Sequence, residues 1–176
     1  MALLAEEIVE EWLNRQGYFT IRGIKLGVHE IDLLATRPNS DGWDCRHFEV
    51  QASVRPVSYL TQVPKAVQRD TGRARSSARS RSDAELKTGV QEWIAKKYDL
   101  PAKKRLKGKL AAGKWTRELV VNVVRHPEEV IELARQGITV HRLNNIVREM
   151  MREEGHFKGA ISGDLLDLMN LLETDA

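Results

Sequence analysis

The sequence predicts an α/β domain, with a mixed central sheet of about five strands flanked by helices. Three observations lead there. An amphipathic helical stretch opens the chain, and β-rich runs separated by turn residues follow it. Later, a strand, a helix and a strand succeed one another in the order of a parallel βαβ unit. Hydrophobic residues make up 41% of the 176, enough for one domain-sized core.

The elements follow in order. Leu4, Ile8 and Trp12, with Val9 and Leu13 beside them, form an apolar stripe, so residues 3–16 read as a helix closed by Gly17. Tyr18 to Arg22 reads as the first strand, Gly23 to Gly27 as a glycine-bounded turn, and Val28 to Thr36 as the second strand. Pro38, Asn39, Ser40, Asp41 and Gly42 form a turn cluster before a third strand, Arg46 to Ser53. Tyr59 to Gln68 predicts a short helix interrupted near Pro64. GRARSSARSRS (72–82) offers no core-forming side chain and predicts a mobile segment. Ser82 and Glu85 have capping-box spacing, and Leu86, Val90, Trp93, Ile94 and Tyr98 then recur at helical intervals.

Pro101 to Lys114 reads as a basic connection, and Glu118 to Arg125 as a central strand. Pro127 opens a helix with Val130, Ile131 and Ala134 inward and Leu133 at its edge. Gly137 ends it, and Ile138 to Leu143 is the fifth strand. A helix over Asn145 to Glu154 and a leucine-rich one over 164–173 finish the chain, the last packing on the core or on a partner. Residues 1–143 thus form the α/β core, with basic, partly flexible insertions at 54–82 and 100–117. Residues 144–176 form a C-terminal helical extension.

Net charge is only +3, but it is unevenly distributed. Residues 55–81 hold seven basic residues against Asp70, a net +6. Residues 96–114 hold eight against Asp99, a net +7, which leaves −10 on the rest of the chain. Such segregation points to a polyanionic partner, nucleic acid first. The expected phosphate contacts are Lys65, Arg69, Arg73, Arg75, Arg79 and Arg81, then Lys103, Lys104, Arg105 and Lys107. No apolar run reaches the ~20 residues of a membrane span, and a start that turns acidic at Glu6 does not resemble a signal peptide. Cys45 is the only cysteine, so no internal disulfide forms, and no Cys/His cluster has zinc-site spacing. A reducing, cytoplasmic setting is expected.

HEIDLLA (29–35) and RHFEVQAS (46–53) carry acids inside apolar runs. Alternation puts Glu30 and Asp32 on one face of the second strand, and His47, Glu49 and Gln51 on one face of the third. If the strands pair, Asp32 and Glu49 point into the same space. Two carboxylates held there repel, and one takes up a proton unless a cation lies between them. Carboxylate oxygens suit Mg²⁺ or Mn²⁺, and Mg²⁺ commonly uses one or two protein carboxylates with waters and phosphate.

The ordered set of Glu6, Gly17-Tyr18, EIDLLA (30–35) and FEVQAS (48–53) resembles the restriction-endonuclease-like superfamily, the PD-(D/E)xK nucleases. Holliday-junction resolvases, Mrr-type endonucleases and YraN-like proteins are its nearest parallels. Those groups carry a glutamate on a helix, a glycine–aromatic pair at the first strand, an acid in the second and E-x-K in the third. The resemblance implies a restriction-like core and a metal-dependent DNA endonuclease acting in repair, recombination or restriction. It implies that Asp32 and Glu49 are ligands to Mg²⁺ or Mn²⁺, that the Val50 carbonyl joins them, and that Glu6, or the less well placed Glu7, approaches the same metal. Gln51 then stands where the family has its catalytic lysine. Glutamine hydrogen-bonds but carries no charge. Some restriction-like enzymes carry it here and stay active, with Gln51 then a catalytic residue. Others move the lysine, a part open to Lys65 or Lys25; otherwise the fold binds DNA without cutting it. One metal or two stays open, and a homodimer fits an enzyme that cuts both strands.

Other signals are set aside. GKLAAGKW (108–115) matches G-x-x-x-x-G-K, but Trp115 replaces the Ser or Thr of a phosphate loop and no strand precedes it. His29 alternates away from Asp32, whereas His47 shares the face of Glu49 and is a candidate base or ligand-orienting group. Trp12 and Trp93 read as core.

Overall fold

A computed structural model describes residues 2–53 and 55–152. The apolar stripe Ala5, Ile8, Val9, Trp12 and Leu13 is buried along α1 (Ala2–Arg15), and Gly17, at φ +82°, turns the chain out of it. β1 (Phe19–Leu26) and β2 (His29–Asn39) make a hairpin in which Leu26 pairs with His29. The turn is therefore two residues, Gly27 and Val28, and the first strand runs on through Gly23. Gly27, at φ +63°, supplies the left-handed backbone that so short a connection needs. β2 pairs in turn with β3 (Gly42–Gln51), Asn39 opposite Gly42.

Next come α2 (Lys65–Thr71), α3 (Asp83–Lys97) and α4 (Pro101–Leu110). β4 (Trp115–Val121), α5 (Pro127–Arg135), β5 (Thr139–Arg142) and α6 (Leu143–Arg152) complete the described chain. The fold is α/β with a five-stranded mixed sheet in the order β1-β2-β3-β4-β5. β1, β2 and β3 are antiparallel; β3, β4 and β5 are parallel, with α5 as the right-length crossover.

Helices cover both faces. On one, α1 and α6 pack Trp12, Leu13, Ile146 and Met150 over Leu33, Ala35, Phe48, Val50 and Val120. On the other, α3 and α5 pack Val90, Trp93, Ile94 and Leu133 over Leu119, Val121 and Ile138. The side chains of the second face on β2 and β3 are Asp32, Leu34, His47, Glu49 and Gln51, by alternation from the first. α6, the first helix of the C-terminal extension, packs on the core. The leucine-rich stretch 164–173 lies outside the described residues.

Several expectations shift. Residues 101–110 form a helix, not a loop: Pro101 sits at its start, and Lys103 and Lys107, four apart, share its inward face. On α5 the inward residues are Glu129 and Leu133, whereas Ile131 is 54% exposed. The Glu129 carboxylate is drawn in by the Leu60 and Thr61 N–H groups, at 2.7 and 2.9 Å, and the Thr61 hydroxyl at 2.5 Å. Residues 72–82 have no regular secondary structure, but they are tied down at both ends. Arg73 donates to Glu85, Ser80 and Arg79, and buried Arg81 donates to Thr61 and Gln62. The guanidinium of Arg81 also stacks 3.8 Å over Tyr59. Ser82 and Glu85 close the expected capping box. Among the described residues no helix is long and apolar enough to cross a membrane.

Candidate functional site

β2 and β3 pair only from Asn39↔Gly42 to Leu33↔Phe48. Beyond that point β2 continues on β1 alone and β3 on β4 alone. The sheet forks, and Asp32, Glu49, Val50 and Gln51 are the residues at the fork. A main-chain N–H freed by the split needs a partner. Asp32 Oδ2 supplies it, accepting from the Val50 N–H at 2.8 Å. The conflict between the two acids anticipated from the sequence is present. Burial raises the Asp32 pKa above its ordinary value and the Glu49 carboxylate raises it further, against the lowering effect of the Val50 N–H and Lys97.

Glu49 is fully buried, and both its oxygens are engaged. Oε2 accepts from Lys97 Nζ at 2.5 Å and Oε1 from Lys103 Nζ at 3.0 Å. Lys103 also donates to the Lys97 carbonyl at 2.6 Å, which ties the end of α3 to the site. For Lys97, burial opposes the charged form, but Glu49 and then Asp32 outweigh it and hold the pKa above the usual lysine value. His47 Nε2 stands 3.3 Å from Glu49 Oε1 without a hydrogen bond between them. The other ring nitrogen, Nδ1, lies 3.3 Å from Lys107 Nζ, which also donates to the Tyr98 carbonyl. Burial, with Lys107 and Lys103 alongside, pushes the His47 pKa down to about 2, so the ring is neutral and Nδ1 accepts from the ammonium.

Glu6 reaches the same region from α1 on the opposite face. It is half-buried, and its pKa is raised by burial first and Asp32 second, with Glu49 also contributing and Arg22 opposing. Its link to the fork is electrostatic. Among the described residues, no three His, Cys, Asp or Glu side chains gather as a ready-made metal cage. The donors at the fork are hard carboxylate oxygens in a pair, a set that suits Mg²⁺ or Mn²⁺ with most of the shell left to water and phosphate.

Gln51 is half-buried and lines a cleft together with Lys97, Lys65 and His29. Lys25 is exposed on β1, and neither it nor Lys65 forms an ion pair with Glu49; Lys97 does. Of the expected phosphate contacts, Lys65, Arg69, Arg75, Arg79, Lys104 and Arg105 are exposed. Arg73 is half-buried on Glu85. Arg81, Lys103 and Lys107 are buried and spent on internal partners, so they offer nothing at the surface. Lys97 was missed as a site residue, though a signal existed, and Lys103, expected on phosphate, is instead on Glu49. Lys97 follows Val90 by seven and Trp93 by four, which places it on the inward face of α3.

No protein-family profile matches the chain, and no curated protein matches it. Among solved structures, the crystal structure of AF1548, a protein of unknown function, is similar, with 14% identity over 96% of this chain and 78% of that one and a TM-score of 0.44.

Proposed function

We propose that this chain is a metal-dependent DNA endonuclease of the restriction-endonuclease-like class. The observation that carries the proposal is the meeting of Asp32, Glu49 and Lys97 at the β2–β3 fork, with Lys97 Nζ 2.5 Å from Glu49 Oε2. Asp32 and Glu49 would hold Mg²⁺ or Mn²⁺, with the Val50 carbonyl as a further donor and Glu6 behind them. A divalent cation held by these residues would supply Lewis acidity toward a phosphate oxygen and lower the pKa of a bound water. Lys97 supplies the positive charge that Gln51 lacks, placing an ammonium where charge develops on the phosphate. Lys103 holds Glu49 in position from the buried side. Gln51 orients water or phosphate through its amide.

A nuclease assay on branched and linear DNA with Mg²⁺, Mn²⁺ or EDTA tests this. Cutting should need the cation and vanish in Asp32→Ala and Glu49→Ala while DNA binding survives. Variants that cut like the parent would remove the site. A second class of function, DNA binding without cutting, is favoured by one observation: Lys97 and Lys103 already neutralise Glu49 without any metal. It predicts salt-sensitive binding, no turnover and no cation affinity that depends on Asp32.

A further inference from the structure

A cleft of about 750 Å³ opens beside the fork, between α3 and the chain from Leu60 to Arg75. Gln51 and Lys97 line it, so it is continuous with the candidate site. Lys65, Arg75 and Lys96 line it as well, and among the described residues none of these three has an ion-pair partner. Neighbouring cations differ: Arg69 pairs with Asp70, Arg73 with Glu85 and Lys104 with Asp99. The one acid in the lining, Glu92, accepts from the Lys65 main-chain N–H at 3.3 and 3.2 Å. Three cations with no ion-pair partner among the described residues thus meet at the rim of this cleft, against one carboxylate. On the α1 side of the fork the charges are acidic, with Glu7 and Glu10 gathered on Arg22 and Glu30 exposed. A polyanion is drawn to the fork from the α3 side.

Size decides which polyanion. The volume lies within the roughly 300–1,000 Å³ of pockets that enclose one small ligand. A DNA duplex, whose major groove alone is about 12 Å wide, is far larger. Glu49 lies fully buried behind Lys97, so a phosphate must enter the cleft to approach it. A single strand, whose bases have no paired partner and whose backbone bends freely, can enter in this way; a duplex, stiffened by its second strand, meets only the rim.

We infer that this cleft binds a short single-stranded stretch of DNA, such as an unpaired end, flap or loop, and leads its phosphate to Lys97. The step at the fork rests on the nuclease function proposed above; the binding itself does not. The test is fluorescence anisotropy on the full chain in EDTA, comparing labelled oligothymidine with a duplex of equal length over a series of salt concentrations. The single strand should bind at least about tenfold tighter. Arg75→Gln and Lys96→Gln, both at exposed positions, should melt like the parent and each lower the slope of log K against log salt by about 0.7. Equal or tighter duplex binding, or slopes unchanged by both variants, would overturn the inference. A protein that binds single strands through these residues but cuts nothing keeps the cleft and loses the nuclease. One that cuts duplex DNA through Asp32 without preferring single strands keeps the nuclease and loses the cleft.

Discussion

Lys97, at the C-terminal end of α3, holds its ammonium 2.5 Å from Glu49 Oε2, and its side chain is 27% exposed. It can turn outward to a phosphate without leaving the carboxylate bare, because Lys103 remains on Oε1. If the chain cuts DNA as proposed, Lys97→Ala should therefore slow cutting by about 10²–10³, the usual effect of losing one charge-stabilising donor. Stability should fall by about 1–3 kcal/mol, the cost of one hydrogen bond to a charged group, since Lys103 still neutralises Glu49. Single-turnover cutting rates and urea denaturation read the two effects separately.

Lys103 should behave in the opposite way. Its side chain is 1% exposed, so Lys103→Met leaves Glu49 buried with only Lys97 at its edge. Breaking a buried pair on one side costs about 3–5 kcal/mol. Adding Glu49→Gln to that variant should restore part of the loss, since the charge left behind is gone; a denaturation cycle over the four proteins measures the coupling.

His47 sets a pH dependence of stability. Folded, its pKa lies at about 2, pushed down by burial and then by Lys107 and Lys103, from an ordinary value of 6.5. Between those values the unfolded chain binds more protons than the folded one, so stability falls as pH falls, by up to about 1.4 kcal/mol per unit. Above 6.5 the residue adds no slope. Asp32 works in the reverse sense near its ordinary value of 3.8: its raised pKa lets the folded state take a proton first. Denaturation midpoints from about pH 7.5 to about 5 should drop for the parent, and drop less for His47→Asn, which retains a hydrogen-bonding side chain.

How much of this was legible follows from range. α1, the meander, the Ser82 capping box and the parallel β4–α5–β5 unit rest on local spacing, and local spacing showed them. So did the sharing of space by Asp32 and Glu49, because alternation fixes strand faces. α4 was hidden because a lysine-rich stretch reads as solvated; only contact with Glu49 and His47 explains why Lys103 and Lys107 turn inward. The fork was equally invisible, since it depends on which neighbour each strand keeps. The inward side of α5, read as Val130, Ile131 and Ala134, was misplaced because the partners that draw Glu129 in come from residues 60 and 61, far along the chain.

That last carboxylate makes its own prediction. Glu129 satisfies two main-chain N–H groups and a hydroxyl, and lies 3.8 Å from Arg81. Glu129→Ala strands the two N–H groups and the hydroxyl, removes the counter-ion of buried Arg81, and should cost about 3–5 kcal/mol. Glu129→Gln keeps an acceptor and should cost less. Hydrogen exchange should quicken first at Leu60 and Thr61, before the sheet opens, because their amides lose their acceptor directly.

Asp32 should show the opposite balance between stability and function. Its charge is opposed by burial and by Glu49, yet the hydrogen bond it accepts from the Val50 N–H needs only an acceptor oxygen. Asp32→Asn preserves that oxygen and removes the repulsion. The metal-free variant should therefore be more stable than the parent by about 0.5–2 kcal/mol, as when a strained functional group is neutralised. If the fork holds a cation, millimolar Mg²⁺ or Mn²⁺ should raise the parent's melting temperature and leave that of Asp32→Asn unmoved. Thermal melts of both proteins with and without EDTA measure this directly. A variant that melts lower than the parent would mean that the carboxylate of Asp32 stabilises the fold rather than waiting for a ligand.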